Sequence, residues 1–143
     1  MNYKFQNLDV YKLALDYLDK IYKIVGGLPD SEKFNLSSQI VRAATSIVLN
    51  IAEGSTGQSN AEQNRFLGLA VRSYIETVAC LDVIGRRKYL SVSLLTEVMK
   101  LGHPVFVKLQ AFRRALETPV SGPRSPVKQA PVPGPRSPVR EKQ

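Results

Sequence analysis

The sequence predicts an all-α protein: an up-down-up-down antiparallel four-helix bundle over residues 1–118, followed by a disordered, Pro-rich basic tail over residues 119–143. Three observations carry that reading. Apolar residues return at helical spacing through four successive segments, separated by short stretches of Gly, Ser, Pro and Asp. No segment alternates with period two for long enough to make a strand. Seven of the nine prolines lie between Pro119 and Pro138, where a helix cannot continue.

The first helical segment lies between Val10 and Val25. Tyr11, Leu15, Leu18, Tyr22 and Val25 fall at spacings of 4, 3, 4 and 3, a heptad seam that predicts the core-facing stripe. Asp9 is the expected N-cap and Gly26-Gly27 the expected C-cap, before the turn Leu28-Pro29-Asp30. The second helix starts between Ser31 and Leu36, carries Leu36, Ile40, Ala43, Ile47 and Ile51, and stops at Gly54. Ser59 caps the third, with Glu62 completing a capping box. Its seam is Leu67, Val71, Tyr74, Val78 and Leu81, and it ends near Gly85. The fourth opens at Ser91 or Ser93 and carries Leu94, Val98, Leu101, Val105, Leu109, Phe112 and Leu116. Pro104 sits inside that stripe, removes one backbone donor, and predicts a kink or a split.

The stripes differ in width. The apolar positions of the fourth helix fall within about 80° of arc, enough to face one core. In the first helix, Leu13, Tyr17 and Ile24 widen the arc to about 200°. In the second, Ala44, Val48 and Ala52 flank the main stripe and Leu49 lies beyond it. Surplus apolar surface of this kind predicts self-association through the first two helices, with Leu13, Tyr17, Ile24, Val48 and Leu49 as the interface.

Composition removes most chemistries. The 143 residues are 43% apolar, enough for one packed core, and no apolar run approaches the ~20 residues a bilayer span needs. A single cysteine and a single histidine exclude a disulfide framework and a zinc cluster. The opening Met1-Asn2-Tyr3-Lys4-Phe5 lacks the apolar core of a secretory signal, so the expected compartment is cytoplasmic. His103 falls opposite the stripe of its helix with no carboxylate one turn away, which makes a poor general base. Cys80, placed on the polar side of its helix near Glu76, gains nothing as a nucleophile from a neighbouring carboxylate. Gly54-Ser55-Thr56-Gly57 lacks the Lys-Ser/Thr step of a phosphate loop. No enzyme, cofactor or metal site is expected.

Polar residues suggest two other roles. Arg42, Ser46, Asn50 and Glu53, at spacings of 4, 4 and 3, line one edge of the second helix, and Ser73 and Glu76 do the same on the third. Such groups cross-link neighbouring helices and set their register. For nucleic acid, the basic candidates are Arg42, Arg65, Arg72, the run Arg86-Arg87-Lys88, Arg113-Arg114 and the tail. The net charge of +8 divides evenly: residues 1–118 hold 15 basic and 11 acidic side chains, and residues 119–143 hold 5 and 1. A body of +4 is a weak footprint, which an oligomer multiplies by its subunit number. In the tail, Gly122-Pro123-Arg124-Ser125-Pro126-Val127 recurs as Gly134-Pro135-Arg136-Ser137-Pro138-Val139. Each copy holds a PxxP step of the kind read by polyproline-II grooves, in a segment whose composition reads as a solvated extension.

A set of short motifs carries a resemblance. Phe5-x-x-Leu8, Ile21-Tyr22, Leu28-Pro29-x-x-Glu32 and Gln39-Ile40-x-Arg42-Ala43-Ala44-x-Ser46-Ile47 are followed by Asn50-Ile51-Ala52-Glu53-Gly54, Phe66-Leu67 and Ser73-x-x-Glu76. Over about residues 5–116 the chain resembles the four-helix bundle family that includes proteins encoded in intervening sequences of bacterial 23S ribosomal RNA genes. The resemblance implies a small cytosolic protein without known catalysis that assembles as a ring, a homopentamer. It also implies an analogy with the accessory protein of diversity-generating retroelements, which binds a reverse transcriptase and nucleic acid through a basic surface. This chain has Val41-Arg42 where the family often has two arginines, and Arg72 where a small residue is commoner. The expected partners are therefore RNA or DNA, a reverse transcriptase or other protein, and further copies of the chain, with no membrane. The competing expectation is a protein-interaction scaffold that binds no nucleic acid.

Overall fold

The computed structural model describes residues 2–57 and 59–117; the basic tail and its PxxP repeats lie outside them. Four helices account for about three quarters of the described chain: α1 (Asp9–Val25), α2 (Leu36–Gly54), α3 (Asn60–Arg86) and α4 (Val92–Glu117). Short 3-10 turns precede α1 (Lys4–Asn7) and α2 (Asp30–Glu32). Each helix packs on its two sequence neighbours, α4 closes back onto α1, and the backbones of the diagonal pairs stay apart. This is the predicted bundle. Among the described residues no helix is long and apolar enough to cross a membrane.

Helix ends differ from expectation in their chemistry. Leu8, not Asp9, occupies the N-cap of α1, and Asp9 becomes its first residue, where its carboxylate meets the positive end of the helix dipole. Gly26 ends α1 in right-handed geometry (φ −60°), so the freedom of a glycine is not used there. Ser59 does cap α3, accepting from the Glu62 amide at 3.2 Å. The Glu62 carboxylate is taken by Arg65. Ser91 performs the same service for α4, accepting from the Leu94 amide at 3.1 Å. At the end of α3 the amide of Lys88 bonds the Gly85 carbonyl and that of Tyr89 the Ile84 carbonyl. This paired pattern forces Lys88 into the left-handed region (φ 57°) that glycine usually fills. Pro104 neither splits nor ends α4. It lies on the exposed side of the helix, where water can reach the carbonyl that loses its donor.

The core frame of α1 corrects the sequence expectation. Val10, Ala14, Tyr17, Ile21 and Ile24 are buried, the same 4-3-4-3 rhythm displaced by one residue. Of the stripe expected inside, Leu15 and Tyr22 are 36% and 57% exposed, and Tyr11, Leu18 and Val25 are only partly buried. The surplus arc exists, but its two edges are exchanged. Tyr17, Ile24 and Val48, expected at the interface, belong to the core of the bundle itself, and Leu13 packs against that core. Only Leu49 among the five is fully on the surface, at 54% exposure. Cys80 is likewise buried instead of lying on a polar face, because α3 turns Ala70, Thr77, Cys80 and Ile84 inward alongside Leu67, Tyr74 and Leu81.

One contact spans the bundle diagonally. The Thr77 hydroxyl of α3 donates to the Tyr74 carbonyl at 2.6 Å, so the Tyr17 hydroxyl of α1 is the donor in the 2.8 Å bond between Tyr17 and Thr77. Room for the tyrosine rings comes from Gly102 of α4. A β-carbon there would stand 2.8 Å from Cε2 of Tyr17 and 3.1 Å from Cε2 of Tyr74. Gly54 plays the same part between α2 and α3, where a β-carbon would meet Cβ of Phe66 at 2.9 Å.

Two outcomes follow for stability. Gly102→Ala improves helix propensity by about 1 kcal/mol yet overpacks two rings, and we expect a net loss of about 1–3 kcal/mol in urea unfolding. Burial pushes the Tyr17 hydroxyl up to about 12 from an ordinary value of 10.0. The folded protein therefore keeps a proton that the unfolded chain sheds near pH 10, and stability falls between about pH 10 and 12, by on the order of 2–3 kcal/mol. Below pH 10 this contribution is constant. Unfolding midpoints measured from pH 9 to 11.5 should show a shallower alkaline decline in Tyr17→Phe than in the parent chain.

Candidate nucleic-acid interface

The outer face of α3 carries three arginines in heptad register, with Ala79 in the position between the last two and Ile75, Glu76, Asp82 and Val83 also exposed. Arg65, Arg72 and Arg86 are separated by one and two heptads, and all three are exposed. A straight helix drifts about 20° per heptad, so the three positions follow a line some 30 Å long that winds by about 60° around α3. At the start of this line a shallow, open groove of about 350 Å³ runs along α3 and is bordered by one α4 residue, its lining being Asn64, Arg65, Gly68, Leu69, Val71, Arg72 and Arg113. Among the described residues no carboxylate lines it.

Arg113 reaches the groove from α4 and is aimed by neutral groups. Its Nε donates to Oδ1 of Asn64 at 2.9 Å and its Nη1 to Oε1 of Gln110 at 3.4 Å. Its guanidinium lies against Gly68, where a β-carbon would sit 3.4 Å from Nη2. A β-carbon alone would fit there in ordinary contact with the guanidinium. Asn64 in turn donates to Oε1 of Glu117 at 2.9 Å, which holds the last turn of α4 against the first turns of α3. Arg65 is partly engaged, by Glu62 at 2.7 Å and by the face of Phe66 at 4.6 Å. Among the described residues neither Arg72 nor Arg113 has a carboxylate within salt-bridge distance. Arg72, with Glu76 one turn on, and Arg113, linked through Asn64 to Glu117, thus keep N–H donors outside any salt bridge among the described residues, beside an Arg65 that Glu62 engages.

The other basic candidates are spread out. Arg86 and Arg87, with Val83, border a shallow depression of about 480 Å³ toward the far end of α3, and the strained Lys88 follows them. Arg42 stands apart on α2, in a depression of about 340 Å³ shared with Thr45, Ser46, Leu49, Asn50 and Glu53. There the Asn50 amide donates to the Ser46 carbonyl at 2.8 Å and to its hydroxyl at 3.0 Å, and the Ser73 hydroxyl reaches the Ser46 hydroxyl at 2.9 Å. The Ser46–Ser73 bond joins α2 to α3 midway along their packing. Glu53 and Glu76 remain exposed on either side of it.

Sequence reasoning picks out Arg65 and Arg72 without linking them, and it misses Asn64 and Gly68. The legible signal is Gly68 itself, a glycine between two arginines in the middle of a long helix. Catalytic candidates gain no support from their surroundings. Burial, and then the charge of Glu76, push the Cys80 thiol up, away from a reactive thiolate. His103 is exposed, with the Phe106 ring 6.4 Å away. Among the described residues no cluster of His, Cys, Asp and Glu could hold a metal ion.

Known proteins match this geometry at the level of fold and family. The structure is similar to the crystal structure of a Bacteroides thetaiotaomicron protein of unknown function from the S23 ribosomal protein family, with a TM-score of 0.68 and 25% identity, covering 73% of this chain and 98% of that one. No curated protein matches. The family model described as 23S rRNA-intervening sequence protein matches residues 6–110, from the turn before α1 to well into α4, and the chain belongs to that family.

Proposed function

We propose that the chain is a non-enzymatic bundle that assembles into a ring, a pentamer by the resemblance, and holds RNA or DNA electrostatically, alone or together with a nucleic-acid-processing protein such as a reverse transcriptase. The observation that carries this reading is the α3–α4 groove, where Arg65, Arg72 and Arg113 converge and no carboxylate among the described residues lines the wall. Guanidinium groups so placed bind phosphate oxygens in pairs and read no bases, which suits a surface without a recognition helix or stacking sheet. One such groove binds weakly; several on one ring act together on a single polyanion.

Assembly has its own support. Leu15 and Tyr22 are exposed on the second heptad stripe of α1, and Leu49 on α2. A second reading, a scaffold for an apolar protein partner, is favoured by Phe34 and Val92, 90% and 81% exposed at the end of the bundle where α2 and α4 begin.

Both parts are testable. A labelled 30-nucleotide single-stranded RNA, titrated across a range of potassium chloride concentrations, should give a log-log slope clearly below zero, and Arg72→Gln with Arg113→Gln should flatten it by about 0.7 per lost phosphate contact. Absence of binding at low salt, or a flat slope, would refute the nucleic-acid reading. Light scattering should return a multiple of the 15.9 kDa chain mass, reduced toward one chain by Leu15→Asp with Tyr22→Asp. A monomer at micromolar concentration would refute the assembly.

A further inference from the structure

The turn ahead of α2 presents an aromatic ring to solvent on a bonded frame. Phe34 is 90% exposed, while the Lys33 amide donates to the Asp30 carbonyl at 3.1 Å and the Asn35 amide to the Glu32 carbonyl at 3.0 Å. One carboxylate oxygen of Glu32 accepts from the Asn35 side-chain amide at 3.1 Å, and the other accepts from the Tyr89 hydroxyl at 3.3 Å. The Tyr89 bond ties this turn to the link between α3 and α4, where Arg87 and Lys88 immediately precede Tyr89. The ring and these cations therefore share one end of the bundle, joined by a carboxylate that is itself engaged.

The charges at this end are available. Lys33, Arg86, Arg87 and Lys88 stand outside any salt bridge among the described residues. Asp82 lies one turn before Arg86, but the positions one turn before Arg87 and Lys88 are Val83, Ile84 and Gly85. The turn's other acid, Asp30, is exposed. Lys33 holds its Nζ over one face of the Phe34 ring, 5.5 Å from the centroid, and the opposite face is left to solvent. Lys88 has φ 57°, a left-handed conformation in which glycine would be unstrained. The backbone gains nothing from a lysine there; the cation is what the residue adds.

We propose that this end of the bundle is a second nucleic-acid contact, selective for unpaired strands: a base stacks on the open face of Phe34 while Arg87, Lys88 and Lys33 hold neighbouring phosphates. The proposal rests on the nucleic-acid reading above and deepens it by naming the class of strand. A paired base is enclosed in its duplex and cannot reach a ring that stands out from a turn, whereas an unpaired base can. Every base has a π-face, so the contact separates single strands from duplexes without reading sequence. The cations favour this occupant over an apolar protein surface, which would desolvate them without pairing them.

The ring is exposed, so Phe34→Ala leaves the core untouched, and the chain holds no tryptophan, so Phe34→Trp adds a single fluorescent reporter. Full-length proteins are titrated with a 12-nucleotide single-stranded RNA, with its duplex, and with an abasic strand of the same length. We expect Phe34→Ala to bind the single strand at least fivefold more weakly than the parent and the duplex within twofold of it. Emission from Phe34→Trp should be quenched by the single strand and unchanged by the duplex or the abasic strand. Lys88→Gly should raise the urea midpoint yet weaken single-strand binding, a split that a merely structural lysine would not produce. Equal losses on single strand and duplex, or no loss on either, would overturn the stacking contact. The function proposed above then stands if Arg72→Gln with Arg113→Gln still weakens binding. If Phe34→Ala keeps its RNA affinity but lowers the mass seen by light scattering, this end is a contact between copies and the stacking proposal is refuted. If the parent chain binds none of the RNAs, both proposals fall together.

Discussion

The bundle turns on a single contact across its middle. Four helices packed pairwise around a square have no backbone reason to fix the relative rotation of diagonal partners. The Tyr17 hydroxyl supplies one by reaching Thr77, which is buried, accepts the bond and donates its own to the Tyr74 carbonyl. A buried tyrosine hydroxyl without a partner costs about 1–3 kcal/mol, so rotations of α1 that lose this bond are disfavoured. Gly102 makes the contact sterically feasible by leaving the space that both tyrosine rings occupy. Small and polar residues therefore determine where the large apolar ones go.

Once Tyr17 is committed to the interior, the rest of α1 follows. Val10, Ala14, Ile21 and Ile24 share its face and enter the core, and Leu15 and Tyr22 are carried outward. The exposed apolar surface of α1 is thus a consequence of core packing. On another side of the bundle, α3 packs closely on α2 at Gly54 and bonds to it through Ser46 and Ser73. Exposed arginines line α3 and exposed Leu15 and Tyr22 lie on α1, though α3 also exposes Ile75 and Val83.

Much of the candidate site is legible in the order of the residues, and the part that is not has a simple cause. Arg65 and Arg72 stand one heptad apart in a segment with clear helical rhythm, so their shared face follows from periodicity. Arg113 belongs to another helix, 41 positions beyond Arg72, and nothing local says that it crosses to Gly68. The same limit explains α1. Two overlapping heptad stripes, offset by one residue, satisfy the 4-3-4-3 spacing equally well, and the one with the larger side chains is not the buried one. Cys80 falls inside, against expectation, because α3 lies against both α2 and α4, which widens its buried arc beyond the single seam that its strongest apolar residues mark.

By itself, the sequence determined what depends on local energetics. Helix number and approximate limits follow from periodicity, Ser59 and Ser91 from capping, and the division of charge from where the prolines begin. Tertiary structure decided what depends on rotation about a helix axis. The roughly 100° that separates Tyr17 from Leu18 is invisible to propensity and decisive for packing. It is settled by whether a hydroxyl finds Thr77 and a ring finds the gap at Gly102, and both partners lie far from Tyr17 in sequence.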